Sequence, residues 1–312
     1  MLPHCGLQLI DTMTPLVSHS PGQPVGLIGT GSMGAGIGRN LLRAGHALHL
    51  FARRSDAAQP LVQAGATACA SPADLGQHCR LVVLSLTDAS AVEAVLFGPQ
   101  GLAGTLAPGS VVVDTSTIAA TSARALADRL AAQDVWLLDA PVSGGQAGAE
   151  AGTLGCMVGG AAEVLDACRQ TLGAFCKTIT HVGSQGAGQT VKACNQVAVA
   201  GAMLGVADAM ALAKAQGVDP ALMREVLLGG TARTFSLEKN GLRVIQGDYQ
   251  PGFRAALMRK DLRLALDTAR ATGVVLPGAA LAEQLLDVLC TSGRADWDWS
   301  ALALQVQALQ NQ

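Results

Sequence analysis

Lys192, Asn195 and Gln196 stand at i, i+3 and i+4. A helix through them puts an ammonium and two amides on one face. Gly186-Ala187-Gly188 comes just before, so the group lies near a helix N-terminus. The dipole there disfavours positive charge and should lower the pKa of Lys192 toward values that suit a general acid or base. An exposed first turn carrying ordinary polar residues would explain the same three positions, but the next turns are apolar and read as buried. A second group is Gly29, Gly31 and Gly34 at G-x-G-x-x-G spacing, with Thr30, Ser32 and Met33 between them. The first glycine permits a tight turn, the second lets backbone approach a pyrophosphate, and the third lets helix and strand pack closely. The phosphates would rest on free N–H groups at the following helix start. Arg53, Arg54 and Ser55 occupy the end of the next strand, where sites for NAD usually carry an acid. Two guanidiniums and a hydroxyl suit a 2′-phosphate instead, so NADP is favoured and NAD is not excluded. Two solvated arginines on a loop are the competing reading. Ser143-Gly144-Gly145 could form a nest of N–H groups for a small carboxylate, although on shape alone an ordinary glycine loop is preferred.

These residues need elements to hold them. Val25–Ile28 is a short apolar run, a helix extends from the glycines to about Arg43, and His46–Phe51 resumes a strand. That strand–turn–helix–strand order is the context the glycine spacing demands. Further apolar runs follow at 81–86, 111–114, 136–140, 153–158 and 177–182, alternating with helical stretches. In a doubly wound sheet the loops holding Thr87 and Thr117 would face the ligand crevice. From Gly188 to about Ala215 no strong breaker occurs, which predicts a helix of roughly 40 Å, apolar nearly all round and therefore buried. The remainder reads as helices at 220–228, 235–244, 257–272, 278–292 and 299–309. The fold class is thus α/β: an N-terminal Rossmann domain with a doubly wound parallel sheet, then an all-helical C-terminal domain, joined by a long interdomain helix. The expected divisions are a loose extension over 1–24, a dinucleotide-binding domain over 25–186 and a helical substrate and dimerisation domain over 187–312.

Composition narrows the function classes. A net charge of −2 gives no nucleic-acid surface. No uninterrupted apolar run reaches the roughly 18 residues of a membrane span, and no signal segment is evident. The expectation is a cytoplasmic protein that partners neither nucleic acid nor membrane. The eight cysteines form no CxxC pair and the six histidines have no metal-ligand spacing, so no metal is expected. A pair such as Lys260-Asp261 is, without more information, surface charge.

Four motifs in order resemble the β-hydroxyacid dehydrogenase family. Gly29-Thr30-Gly31-Ser32-Met33-Gly34 is similar to its G-x-G-x-M-G fingerprint, and Asp139-Ala140-Pro141-Val142-Ser143-Gly144-Gly145 to its DAPVSGG substrate loop. Gly186 to Asn195 is similar to its G-x-G-x(3)-K-x(2)-N helix, and Lys260-Asp261-Leu262 to its K-D-L element. The resemblance covers Val25 to about Ser292. It implies that Lys192 is the acid/base, supported by Asn195, and that Ser143, Gly144 and Gly145 hold a substrate carboxylate. It further implies that Thr117 lies near nicotinamide and substrate, Phe253 near the substrate, and Leu86, Thr87 and Lys260 on the cofactor side. Thr87 departs from a family proline, and Gln196 replaces a second asparagine of some members. The implied activity is hydride transfer between NAD(P) and a short β-hydroxyacid or its semialdehyde, of the 3-hydroxyisobutyrate or 2-hydroxy-3-oxopropionate type, in a homodimer or homotetramer. Members acting on L-threonate, or on glyoxylate and succinic semialdehyde, are alternatives within the family. A catalytically silent dinucleotide-binding module is the alternative from another class. Imine reductases share the architecture but usually lack the lysine.

Overall fold

The computed structural model describes residues 22–309 and divides into two compact units, one ending at Lys192 and the other starting at Ala193. In the first unit, strands β1 (Pro24–Ile28), β2 (Ala47–Phe51), β3 (Thr67–Ala68), β4 (Leu81–Leu84), β5 (Val111–Asp114) and β6 (Trp136–Asp139) run parallel in the order β3-β2-β1-β4-β5-β6. The sheet then continues through β8 (Leu154–Gly159), which pairs antiparallel with β6 and with the short β7 (Val142–Ser143), and parallel with β9 (Cys176–Gly183). The expected extension over 1–24 lies outside the described residues except for its last three, and Pro24 already opens β1. A first-residue proline leaves the rest of the ladder intact.

The uninterrupted apolar runs are explained by burial on both faces. Alternate residues Leu27, Leu50, Val83, Val113 and Leu138 join one core with Ile37 and Leu41 of helix α1 (Ser32–Arg43). Their neighbours Ile28, Val82, Leu84, Val112 and Leu137 join the opposite core. There they meet Leu75 of α3 (Pro72–His78), Leu96 of α4 (Ala89–Phe97) and Leu126 of α5 (Ala120–Ala131). Helix α2 (Ser55–Gln63) follows β2, α6 (Gly145–Ala151) follows β7, and α7 (Ala162–Leu172) links β8 to β9. α6 was not expected from sequence. It lies against α1, where a Cβ at Gly36 would come within 2.7 Å of the Ala149 backbone, and Asn40 donates to the Ala149 carbonyl at 2.7 Å.

Helix α8 (Ala187–Ala215) has 29 residues, close to the expected span. By length and composition alone it is long and apolar enough to cross a bilayer, although polar residues interrupt its apolar runs. It is not buried all round. Gln189, Lys192, Gln196, Ala200, Met203, Ala207 and Met210 form a buried stripe, whereas Val191 and Leu212 are 37% and 66% exposed. Gly201 and Gly205 supply much of the apparent apolarity of the other face, where an added Cβ would meet nothing within 4 Å.

The second unit is helical, as expected. It contains the rest of α8, α9 (Pro220–Leu228), α10 (Gly241–Gln246), α11 (Ala255–Thr272), α12 (Pro277–Leu289) and α13 (Leu302–Leu309). A π-helical turn at Ser236–Asn240 runs into α10, another at Cys290–Arg294 follows α12, and a 3₁₀ turn at Trp299–Ala301 opens α13. Met203, Met210, Met258, Leu262, Leu286 and Leu302 lie in its core.

Candidate active site

The strand order reverses between β1 and β4, the place where open α/β sheets bind ligands beyond their carboxyl ends. Gly29 leaves β1 with φ +97°, a conformation that L side chains rarely adopt, and a Cβ there would strike the Ser85 carbonyl. A Cβ on Gly34 would strike the Gly29 carbonyl, while one on Gly31 would meet nothing within 4 Å. The first and third glycines are therefore needed by the fold, and the second leaves open space over the α1 N-terminus. Gly31 provides no side-chain cap there. Thr30 is 8% exposed and its hydroxyl has no hydrogen-bond partner. An open cradle beside an unsatisfied buried hydroxyl fits a dinucleotide pyrophosphate. Ser32 and Met33 begin the helix, the serine exposed and the methionine packed on the core. Arg53, Arg54 and Ser55 are exposed where β2 passes into α2, and Arg54 lies 3.9 Å from Asp56.

Two further loops leave the same edge. The Leu86 N–H donates to Ser116 Oγ at 2.9 Å, and the Ser116 N–H donates to the buried Asp114 Oδ1 at 2.9 Å. Thr87 is exposed and donates to Asp88, which caps α4. Thr117 is half-buried, between Ser116 and Ile118. Beyond β6, Gly144 and Gly145 have φ values of 130° and 62°. A Cβ on Gly145 would meet nothing within 4 Å, so the turn is open in front of α6. Ser143 is half-buried and pairs with Gly155.

The start of α8 is fastened to the sheet by groups that sequence reasoning left without a role. Asp139, fully buried at the end of β6, accepts from the Gly186 N–H at 2.7 Å and the Gln189 N–H at 2.9 Å. Burial pushes the Asp139 pKa up, and these N–H contacts partly oppose that shift. Gly188 allows the approach, since a Cβ there would lie 2.5 Å from both the Asp139 and Met157 carbonyl oxygens. Gln189 reaches the β5 loop: its Oε1 accepts from the Ile118 N–H at 3.1 Å and its Nε2 donates to the Ser116 carbonyl at 2.8 Å. Lys192 comes one turn later and is 7% exposed.

Within the helical unit, Asn195 donates to Gln196 at 2.8 Å, and Gln196 donates to the buried Asp261 at 2.6 Å. Lys260 Nζ lies 2.9 Å from the other Asp261 oxygen. Gln196 and Asp261 thus link Asn195 to Lys260, so Gln196 is more than a replaced asparagine and the Lys260-Asp261 pair is not simple surface charge. Half-buried Phe253 follows Gly252, and both N–H groups donate to Asp298, at 2.9 and 3.0 Å. Among the described residues no cluster of His, Cys, Asp and Glu could hold a metal ion.

A glycine cradle at the switch point of a parallel sheet, followed by a helical unit, defines a nicotinamide-dependent oxidoreductase architecture. The profile described as the NAD binding domain of 6-phosphogluconate dehydrogenase matches residues 24–183. That described as the NAD-binding region of NADP-dependent 3-hydroxyisobutyrate dehydrogenase matches residues 186–306. The chain is 37% identical to an L-threonate dehydrogenase of Cupriavidus necator over 89% of its length and 94% of the relative's. It is 39% identical to an NAD-dependent L-serine dehydrogenase of Pseudomonas aeruginosa over 92% and 99%. A 3-hydroxyisobutyrate dehydrogenase structure from Mycobacterium tuberculosis, determined with L-serine, superposes with a TM-score of 0.84 at 30% identity, covering 92% of this chain and 99% of that one. The chain belongs to the β-hydroxyacid dehydrogenase family and is an NAD(P)-dependent oxidoreductase acting on CH–OH groups.

Proposed function

We propose that this enzyme interconverts a short β-hydroxyacid and its semialdehyde, with Lys192 as general acid/base. The observation that carries the proposal is a lysine 7% exposed, one turn beyond a helix start fastened to the carboxyl edge of the sheet. The bound nicotinamide supplies or accepts the hydride. In oxidation, neutral Lys192 takes the substrate hydroxyl proton; in reduction, its ammonium form protonates the developing alkoxide. Asn195 supports the lysine, and Gln196 holds that asparagine. Ser143, Gly144 and Gly145 receive the substrate carboxylate, and the family resemblance names Thr117 of the first unit and Phe253 of the helical unit as further candidate substrate residues. Gly29 to Gly34 hold the pyrophosphate, with Leu86, Thr87 and Thr117 against the rest of the cofactor, and the family resemblance names Lys260 of the helical unit as a further candidate cofactor residue. Lys192→Ala should lower kcat by about 10²–10⁴-fold and leave dinucleotide affinity, read by fluorescence titration, nearly unchanged. Unaltered turnover would end this assignment. Steady-state rates with 3-hydroxyisobutyrate, L-serine, L-threonate, tartronate semialdehyde, glyoxylate and succinic semialdehyde would name the substrate.

NADP is the favoured cofactor, because Arg53, Arg54 and Ser55 are exposed at the end of β2. Arg53→Asp should weaken NADP far more than NAD. Equal effects on both would refute the 2′-phosphate reading. A homodimer or homotetramer is supported by apolar side chains left open on the helical unit, Leu212, Leu222 and Val226 among them. A monomeric mass by light scattering at micromolar concentration would count against it. The described cysteines are all free thiols, which suits a reducing compartment such as the cytoplasm, and cell fractionation would test that location.

A further inference from the structure

We propose that Gln189 is a positioning residue that sets the Thr117 loop against the helical turn bearing Lys192. The proposal rests on the acid/base reading of Lys192. Gln189 is 3% exposed and fixed at both ends. Its backbone N–H is held by Asp139 at the end of β6. Its side-chain amide takes the Ile118 N–H and gives a hydrogen bond to the Ser116 carbonyl, bracketing Thr117 on both sides. The pairing needs an acceptor and a donor side by side, which an amide supplies and a carboxylate or an alkyl group does not. Ser116 is independently held by Asp114 and holds Leu86 in turn, so the loop is tied to the sheet, to the neighbouring loop and to the helix. Lys192 lies three residues further along, a rise of about 4.5 Å. Anchors from two adjacent strands therefore fix the rotation and height of that turn. A side chain that only filled space would need neither polar contact.

Gln189→Leu keeps the approximate volume and removes both contacts. It should lower kcat about 10–100-fold, as expected for a misplacement near 1 Å, with the KM for the hydroxyacid little changed. In the cofactor-free protein, hydrogen exchange at the Ile118 amide should speed up about tenfold or more, reporting the clamp without any turnover. Gln189→Glu offers a test within one folded protein. Ionised, it accepts from Ile118 but turns its second oxygen toward the Ser116 carbonyl. Protonated, it again offers an acceptor and a donor. Its kcat relative to the parent should rise as pH falls, and Ile118 exchange, corrected for the intrinsic pH dependence, should slow in step. Wild-type kcat in Gln189→Leu, or a Gln189→Glu pH profile parallel to the parent, overturns the proposal, provided Lys192→Ala is inactive. Retained turnover in Lys192→Ala overturns the acid/base reading and with it the catalytic purpose of the clamp. The exchange measurement then decides alone whether Gln189 fastens the loop.

Discussion

The tightest geometric demand at the start of α8 falls on Gly188. A methyl group there would lie 2.5 Å from the carbonyl oxygens of both Asp139 and Met157, and 2.8 Å from Asp139 Oδ2. Ordinary contact begins near 3.4 Å, so Gly188→Ala must lift the first turn of α8 from the sheet by about 0.9 Å. Carbonyls on two strands face the methyl, and backbone yields less readily than a flexible side chain. Alanine offers up to ~1 kcal/mol of helix propensity in return. Overpacking of this kind costs about 1–3 kcal/mol, so a net loss of stability is expected. The larger effect should be on rate. A displacement near 1 Å can cost about 10²-fold, and Lys192 follows only four residues later. Gly278→Ala is the control, because Gly278 is likewise the second residue of its helix and a Cβ there meets nothing within 4 Å. The assay pairs urea denaturation with kcat and dinucleotide affinity for both variants. Gly188→Ala should lose kcat and move its urea midpoint down, while Gly278→Ala should do neither. A Gly188→Ala enzyme with wild-type kcat and midpoint would refute the argument that close approach at this residue positions the lysine.

Asp139→Asn keeps the shape but sets an NH₂ against one of two backbone N–H groups, so it should destabilise by about 1–3 kcal/mol in urea titrations. Because burial raises the Asp139 pKa in the folded protein, its contribution is complete below the ordinary carboxylate value of 3.8 and declines as pH rises through the folded value. The asparagine variant should lack that decline. His46 and His49 titrate in the opposite sense. Burial pushes both below 6.5, and the neighbouring His78 pushes His49 further. The folded state therefore holds fewer protons, so their contribution is complete above about pH 6.5 and lost as pH falls through the folded values. His46→Gln should show a smaller fall in urea midpoint between about pH 7.5 and 5.5 than the parent, and an equal fall would remove His46 from the account.

Much of the first unit was legible because its physics is local. The β1 glycines, the uninterrupted valine and leucine runs and the breaker-free stretch of α8 each announce themselves within a few residues. What stayed hidden depends on partners distant in the chain. The Gln189 amide meets Ile118 across 71 positions, and Asp139 meets Gly186 across 47. No spacing rule reports such a pairing. The segment after Ser143 reads as loop because Gly145 and Gly148 lower helix propensity, yet α6 forms there against Gly36 of α1. The buried stripe of α8 was over-read as a fully buried rod, because glycine and alanine count as apolar whether or not anything covers them.

Helix α1 has Gly34, Gly36 and Gly38 within its span. Each is pressed by a neighbour: the Gly29 carbonyl, the Ala149 backbone, and Leu27 with Leu61. Three interior glycines forgo about 3 kcal/mol of intrinsic helicity relative to alanine, so this segment is helical because its surroundings mould it. If the α1 N-terminus holds the pyrophosphate as proposed, its affinity depends on the packing further along the helix. Larger side chains at Ala149 or Leu61, which press on Gly36 and Gly38, should be felt as altered dinucleotide binding, a route to tuning the cofactor without touching the glycine turn itself.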